Sequence, residues 1–296
     1  MKEVVLITGE NGNLAKTLKK LLANSYEIRT LTTNNRIANN INIFIWDINK
    51  NYIDKRALSK CKHIIHLSGS SILNRWNSKN KKKMYQSRIG GAELIFKTCQ
   101  ELKIKPKTFI SASAMGIYGL DATGIKNEKS PIGNDWISQM ANDWELSADK
   151  FNEIGSRVIQ MRISLLISKN SGFLKYNLLS MKFGIGAIIG SKNNPVNWIH
   201  IKDVALFIKN AIIDDNYSGR YNLSNKENIS QKDFMRLIKK MMFPYAMIIT
   251  IPIWIMQIFL GKRSKILNNK MMLDVTKLRE VGFNHSYNTL EEVIKD

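Results

Sequence analysis

The chain has 296 residues, 44% hydrophobic and 23% charged, with a formal net charge of +21. That length and apolar content give a soluble globular protein able to bury a large core, as one α/β domain or two coupled ones. The two cysteines, Cys61 and Cys99, are isolated, which excludes a metal-type cysteine cluster and reads as reduced core thiols in a cytoplasmic protein.

The positive charge invites a nucleic-acid reading, and the pattern argues against it. Lysine greatly outnumbers arginine, and asparagine and isoleucine are enriched as well. The basic runs Lys79–Lys83 and Lys262–Lys265 are short and carry no aromatic residues that would stack bases. They read as solvated surface, with no nucleic-acid partner expected; an anionic small molecule still profits from the field.

Lys2 and Glu3 lead directly into the first apolar run, with no secretory leader pattern. Val4–Ile7 is β-branched and apolar, and it runs through Thr8 into Gly9-Glu10-Asn11-Gly12-Asn13-Leu14-Ala15. Leu18, Leu21 and Leu22 then follow at helical spacing. A strand, a glycine turn and a helix start in this order place backbone N–H groups and the positive helix end against a pyrophosphate. Gly9 permits the turn, Gly12 permits close approach, and Asn11, Asn13 and Leu14 complete the expected cofactor loop.

Further apolar runs stand at Ile28–Leu31, Ile41–Ile45, His63–Leu67, Thr108–Ser111 and Val158–Met161. Helical periodicity predicts a helix over Ser78–Leu102 and another over Asp135–Phe151. Strands alternating with helices specify a doubly wound parallel sheet covered on both faces. The run after Leu31 holds Thr32, Thr33 and Arg36 and no acid. A carboxylate there favours NAD, so its absence points to NADP, with Thr33 and Arg36 at the 2′-phosphate and NAD as the alternative. Asp47 is expected either to accept from an adenine amine or to cap the next turn.

Small residues end two later strands, Leu67-Ser68-Gly69 and Ser111-Ala112-Ser113, and leave a trough for a nicotinamide. Ser113 is the choice for polarising a substrate oxygen, with Ser111 in reserve. After about Ser168 the rhythm loosens through Gly172, Gly184, Gly186 and Gly190. Asp203 reads as the N-cap of a helix through Ile213, and a short strand is expected near Tyr221–Leu223. Ser230–Asp233 resembles a capping box. Phe243–Gly261 is nineteen mostly apolar residues divided by Pro244 and Pro252; it is read as a buried helix and not as a membrane span. The expected division is residues 1–225 as the dinucleotide-binding domain and 226–296 as a smaller substrate-side domain.

Taken together, Thr8-Gly9 with Gly12, Arg75-Trp76, Ser87-Arg88-Ile89 with Gly91, Ser111–Ala114 with Gly116 and Tyr118-Gly119, Asp143-Trp144-Glu145, Met161-Arg162, Trp198–Ile201 and Gly282-Phe283 resemble the extended short-chain dehydrogenase/reductase superfamily. The resemblance covers almost the whole chain, and it is narrowest to the atypical YfcH-like epimerase-family group. It implies a Rossmann-type NAD(P)-binding domain and a small-molecule substrate. Active superfamily members carry a Tyr-x-x-x-Lys pair on the helix after the serine strand; here Met140 and Trp144 stand in those places. Proton transfer then falls to Ser113, Tyr118, Glu145 or His200, with Ser113 and Tyr118 preferred. Arg75 and Arg88, with Trp76 and Trp198, are the expected substrate-binding residues, since guanidinium forks match phosphate or carboxylate and indoles stack planar groups. For Arg162 a structural tie to the sheet is the better reading.

Two functions follow. One is an NADP-dependent oxidoreductase or epimerase acting on an anionic or sugar-nucleotide-like substrate, with no metal and a homodimer as the expected assembly. The other is a dinucleotide-binding sensor or scaffold without turnover, in line with the cell-division label that relatives carry.

Overall fold

Five consecutive apolar or β-branched residues, Val4–Thr8, are all buried and form the central strand β1. The computed structural model describes residues 2–34, 41–169 and 172–296. After β1 come α1 (Asn13–Leu22), β2 (Glu27–Thr32), β3 (Ile43–Asp47), β4 (Tyr52–Ile53) and β5 (Cys61–His66). Next are α2 (Ser78–Tyr85), α3 (Gly91–Glu101), β6 (Thr108–Ala114), β7 (Thr123–Lys126), α4 (Trp136–Asp149) and β8 (Arg157–Ile163). The chain continues through β9 (Leu165–Ser168), α5 (Gly172–Lys182), β10 (Ile185–Ile189), β11 (Trp198–His200), α6 (Ile201–Ile213) and β12 (Gly219–Leu223). It ends with α7 (Gln231–Met242), β13 (Met247–Ile251), α8 (Ile253–Leu260), β14 (Lys270–Leu273), α9 (Thr276–Glu280) and α10 (Leu290–Lys295).

Eight strands form one sheet in the order β12-β8-β6-β5-β1-β2-β3-β4. β1 pairs in parallel with β2 and β5, as do β2 with β3 and β5 with β6. The two-residue β4 is an antiparallel edge on β3. Order reverses between β2 and β5 around β1, so the end of β1 is the switch point at which doubly wound sheets bind ligands. The fold is therefore the doubly wound, Rossmann-type α/β architecture.

The chain divides into two compact units: Met1–Ser113 with Met140–Arg162 and Val204–Tyr221, and Ala114–Gln139 with Ile163–Asp203 and Asn222–Asp296. In the first unit, Leu6, Ile64 and Phe109 from the sheet meet Ala92, Ile95 and Cys99 of α3. Those last three recur at i, i+3 and i+7, the stripe a sheet-covering helix needs. Phe109 stacks on Phe151 with ring centroids 3.6 Å apart. In the second unit, Leu174 and Met181 of α5 pack with Trp198, Phe234 and Ile238. Its strands pair in parallel twos: β9 with β11, β10 with β13 and β7 with β14.

Three expectations are corrected. The periodicity over 78–102 is not one helix, because a π-turn at Gln86–Gly90 separates α2 from α3. α6 starts at Ile201, so Asp203 lies inside its first turn and accepts from the Ser286 amide instead of capping. Phe243–Gly261 is not a buried helix: it holds β13 and the eight-residue α8, which has no buried residue. Among the described residues no helix is long and apolar enough to cross a membrane. The cap at Ser230 does form, its Oγ accepting from the Asp233 amide.

Candidate functional site

The turn after β1 is built on Gly9, whose φ of +78° lies in the left-handed region. A Cβ there would lie 3.0 Å from the Leu67 carbonyl oxygen, so the turn rests directly on the chain leaving β5. Gly12 is the N-cap of α1 and supplies no side-chain cap, and the first turn of α1 holds no acid. Asn11, Gly12 and Asn13 are exposed. The nearby Glu10 carboxylate is neutralised by Lys19, 2.6 Å away. The Gly12 amide is itself taken by the Gly9 carbonyl at 2.8 Å; the positive, acid-free helix end, free of any side-chain cap, and the paired carboxylate fit the diphosphate of a dinucleotide.

Thr8 fixes the other wall of this turn. Its Oγ1 accepts from the amides of Leu67 and Ser68 at 3.0 and 3.1 Å. Its one proton then goes to His66 Nδ1, 3.1 Å away, which leaves His66 Nε2–H to donate to the Arg88 carbonyl at 2.8 Å. Burial pushes this imidazole down to about 4, so it stays neutral. Arg88, on the π-turn, donates to the carbonyls of Ser70 and Met84 and lies 5.1 Å over the Trp144 ring. Its guanidinium also fills the space a Cβ on Gly69 would occupy. Burial holds Arg88 down to about 10. Leu67, Ser68 and Gly69 are therefore held from both sides. Arg88 Nη1 serves both of those carbonyls, so this guanidinium braces the segment.

At the end of β2, Thr32 is buried and its Oγ1 accepts from the Asn34 amide; Thr33 is exposed. Arg36 lies outside the described residues. Asp47 caps the turn after β3, its Oδ1 accepting from the amides of Asn49 and Lys50.

The end of β6 carries a buried charge network. Ser113 Oγ donates to Glu145 Oε1 at 2.8 Å. Arg162 grips the same carboxylate with Nε on Oε1 and Nη2 on Oε2, both at 2.8 Å. Arg220 bridges Glu145 and Asp149, and Gln160 donates to the Glu145 carbonyl and to Asp149. Glu145 and Asp149 share a face of α4 one turn apart, and Gln160 and Arg162 share a face of β8. That i, i+4 and i, i+2 spacing was the available sequence signal for Asp149 and Gln160, which the sequence reading missed. Arg220, far along the chain, gave none. Ser111 Oγ donates to the Ala112 carbonyl.

In the second unit, Tyr118 is buried and its hydroxyl donates to Asn222 Oδ1 at 2.6 Å. Asn222 Nδ2 in turn donates to the carbonyls of Lys126 and Asp274. Trp198 is fully buried in that unit's core, with its indole N–H on Glu227. Its role there is packing. Arg75 is exposed, and Trp76 is half-buried with its indole N–H on the Ile72 carbonyl. His200 is buried, accepts from the Lys202 amide and packs edge-on against Tyr287. No group of metal-ligating side chains occurs among the described residues.

The sequence pattern of the NAD dependent epimerase/dehydratase family matches residues 5–224. The chain belongs to this family. An epimerase family protein of Staphylococcus epidermidis is 29% identical over 238 residues, 79% of this chain and 78% of that one. YfhF of Bacillus subtilis, also an epimerase family protein, is 27% identical over 291 residues, 97% and 95% of the two chains. Among solved structures, human epimerase family protein SDR39U1 with NADPH superposes at a TM-score of 0.83 and 22% identity, covering 99% of this chain and 98% of that one. UDP-glucuronic acid 4-epimerase of Bacillus cereus, in complex with NAD, gives a TM-score of 0.78 at 15% identity, covering 99% and 96%. These similarities bear out the epimerase-family resemblance and the fold.

Proposed function

We propose that the protein is an NADP-dependent oxidoreductase or epimerase acting on a small anionic or sugar-nucleotide-like substrate in the cytoplasm. The observation that carries it is the uncapped, acid-free start of α1 behind Gly9, at the switch point of the sheet. A nicotinamide dinucleotide bound there supplies the hydride acceptor or donor. Gly9, Asn11, Gly12, Asn13 and Leu14 are assigned to its diphosphate, and the braced Leu67–Gly69 segment to its inner half. The NADP preference rests on the acid-free run after Leu31, with Thr33 and Arg36.

Ser113 is assigned to the substrate oxygen, with a defined polarity. Its proton faces Glu145, so its remaining lone pairs accept from a substrate hydroxyl. Ser113 thus suits the alcohol form of the substrate. Tyr118, whose proton is held by Asn222, is left in an orienting role.

A second reading has its own observation. Met140 and Trp144, at the Tyr-x-x-x-Lys places, are both buried, and Trp144 packs under Arg88. An apolar pair where a proton donor normally stands favours a dinucleotide sensor without turnover. Calorimetric titration with NADPH and NADH, followed by a panel of carbonyl and sugar-nucleotide substrates, separates the two. Substrate-dependent loss of NADPH absorbance that disappears in Ser113→Ala supports the enzyme. NADPH binding with no oxidation across the panel supports the sensor, and no binding of either nucleotide overturns both.

A further inference from the structure

The second unit carries an apolar surface that the proposed chemistry does not use. From Phe234 to Leu273 the sequence holds no Asp or Glu and seven Lys or Arg residues. This stretch includes β13 and α8. β13 pairs with β10 so that Ile185 faces Met247 and Ala187 faces Ile249. Strand alternation divides this ribbon into two faces. On one, Ile188 is in the core and Ile248 packs against it. On the other, Ile185, Met247 and Ile249 are exposed.

The helix that follows is just as bare. α8 reads Ile-Trp-Ile-Met-Gln-Ile-Phe-Leu and buries none of its residues. Trp254, Ile258 and Phe259 are 59%, 71% and 74% exposed. Trp254 and Ile258 lie one turn apart on one face. Phe183, next to the start of β10, is 79% exposed. Scattered exposed apolar residues need no explanation, but a strand followed directly in the chain by a bare helix, together exposing Trp, Phe, Ile and Met, marks a recognition surface.

We propose that the outer face of the β10–β13 ribbon, together with α8, docks this protein on an anionic phospholipid surface. Charge selects that partner. The exposed lysines flanking the patch, Lys182 before Phe183 and Lys262 after α8, match lipid phosphates, and no carboxylate in the 234–273 stretch opposes them. A second copy of the chain would bring a like net charge of +21 to the same patch. Tryptophan and phenylalanine partition to the headgroup boundary, where an indole meets both acyl chain and water. With eight residues, α8 is about 12 Å long against a hydrocarbon core of about 30 Å. It therefore lies in the interface and does not span it.

The test is sedimentation of the full chain with vesicles of equal parts phosphatidylglycerol and phosphatidylcholine, beside vesicles of phosphatidylcholine alone. Binding to the anionic vesicles is expected, weaker by about tenfold or more on neutral ones and in high salt. Trp254→Ser with Phe259→Ser should cut vesicle binding by about tenfold or more, and Lys182→Gln with Lys262→Gln should remove the preference for anionic lipid. Both pairs change exposed side chains, so the thermal midpoint and NADPH titration should stay as in the parent. No binding to either vesicle, equal salt-insensitive binding to both, or unaltered binding by the Trp254/Phe259 pair overturns the proposal. So does a dimer in ultracentrifugation that the same pair dissolves, which would give the patch to a second copy.

Discussion

Ser113 Oγ donates to Glu145 Oε1 at 2.8 Å, and the same oxygen accepts Arg162 Nε at 2.8 Å. The hydroxyl at the end of β6 is therefore oriented by a carboxylate that is itself fixed by a buried guanidinium. Orientation of a hydroxyl is what a group facing a substrate oxygen requires, and here α4 and β8 impose it together.

Removing the carboxylate should be costly. The Glu145 and Arg162 side chains are 2% and 4% exposed, so Glu145→Ala removes a two-point carboxylate contact from a buried cation. A loss of about 3–5 kcal/mol is expected in urea unfolding, because desolvation of the remaining charge is no longer offset. A loss under about 1 kcal/mol would show that the Arg162 charge does not depend on this carboxylate for its stability.

Ser113→Ala separates orientation from stability. Glu145 keeps both Arg162 contacts in that variant, so only about 1 kcal/mol of stability should be lost. Substrate-dependent NADPH turnover, once a substrate is found, should fall by about 10²-fold or more if the hydroxyl faces the reacting oxygen. Equal turnover in parent and variant would remove Ser113 from the chemistry.

The two turn glycines should fail differently. Gly9→Ala meets the Leu67 carbonyl at 3.0 Å with φ of +78°, and should lower stability by about 1–3 kcal/mol. Gly12 has φ of −71° and ψ of 145°, and its Cβ would approach only the Gly9 carbonyl, at 3.2 Å. Gly12→Val should therefore fold with a near-parental melting point while losing about tenfold or more in NADPH affinity by calorimetry. Parental affinity in that variant would refute the diphosphate seat.

Acid should weaken the fold through His66. The unfolded imidazole takes a proton near its ordinary value of 6.5, whereas the folded one resists until about 4. The unfolded state binds more protons across that window, so stability is full above pH 6.5 and falls as pH drops toward 4. The loss is about 3 kcal/mol at one pH unit per ~1.4 kcal/mol. Burial also lowers His63, His200 and His285, which act in the same direction. Denaturant melts of parent and His66→Gln between pH 4 and 7 should show a shallower slope in the variant; identical slopes would place the effect elsewhere.

Much of this protein was readable from local pattern. The apolar runs that became β1, β2, β5, β6 and β8, the glycine turn behind β1 and the Ser230 cap depend on neighbours a few residues away, so their residue types announce them. Periodicity could not show the π-turn at 86–90, because the same apolar spacing suits an unbroken helix; the break accompanies the packing of Arg88 against Gly69 and Trp144. Nor could hydropathy place 243–261, since an apolar stretch reads alike whether it is covered or bare, and only the fold leaves α8 uncovered. The commitments of Ser113 to Glu145, Tyr118 to Asn222 and His66 to Thr8 join residues 32, 104 and 58 positions apart. Sequence decided which elements form and where the helix start points, because those are short-range preferences of backbone and side chain. Only the tertiary structure decided which proton each polar group holds, because a donor has one target and long-range packing chooses it.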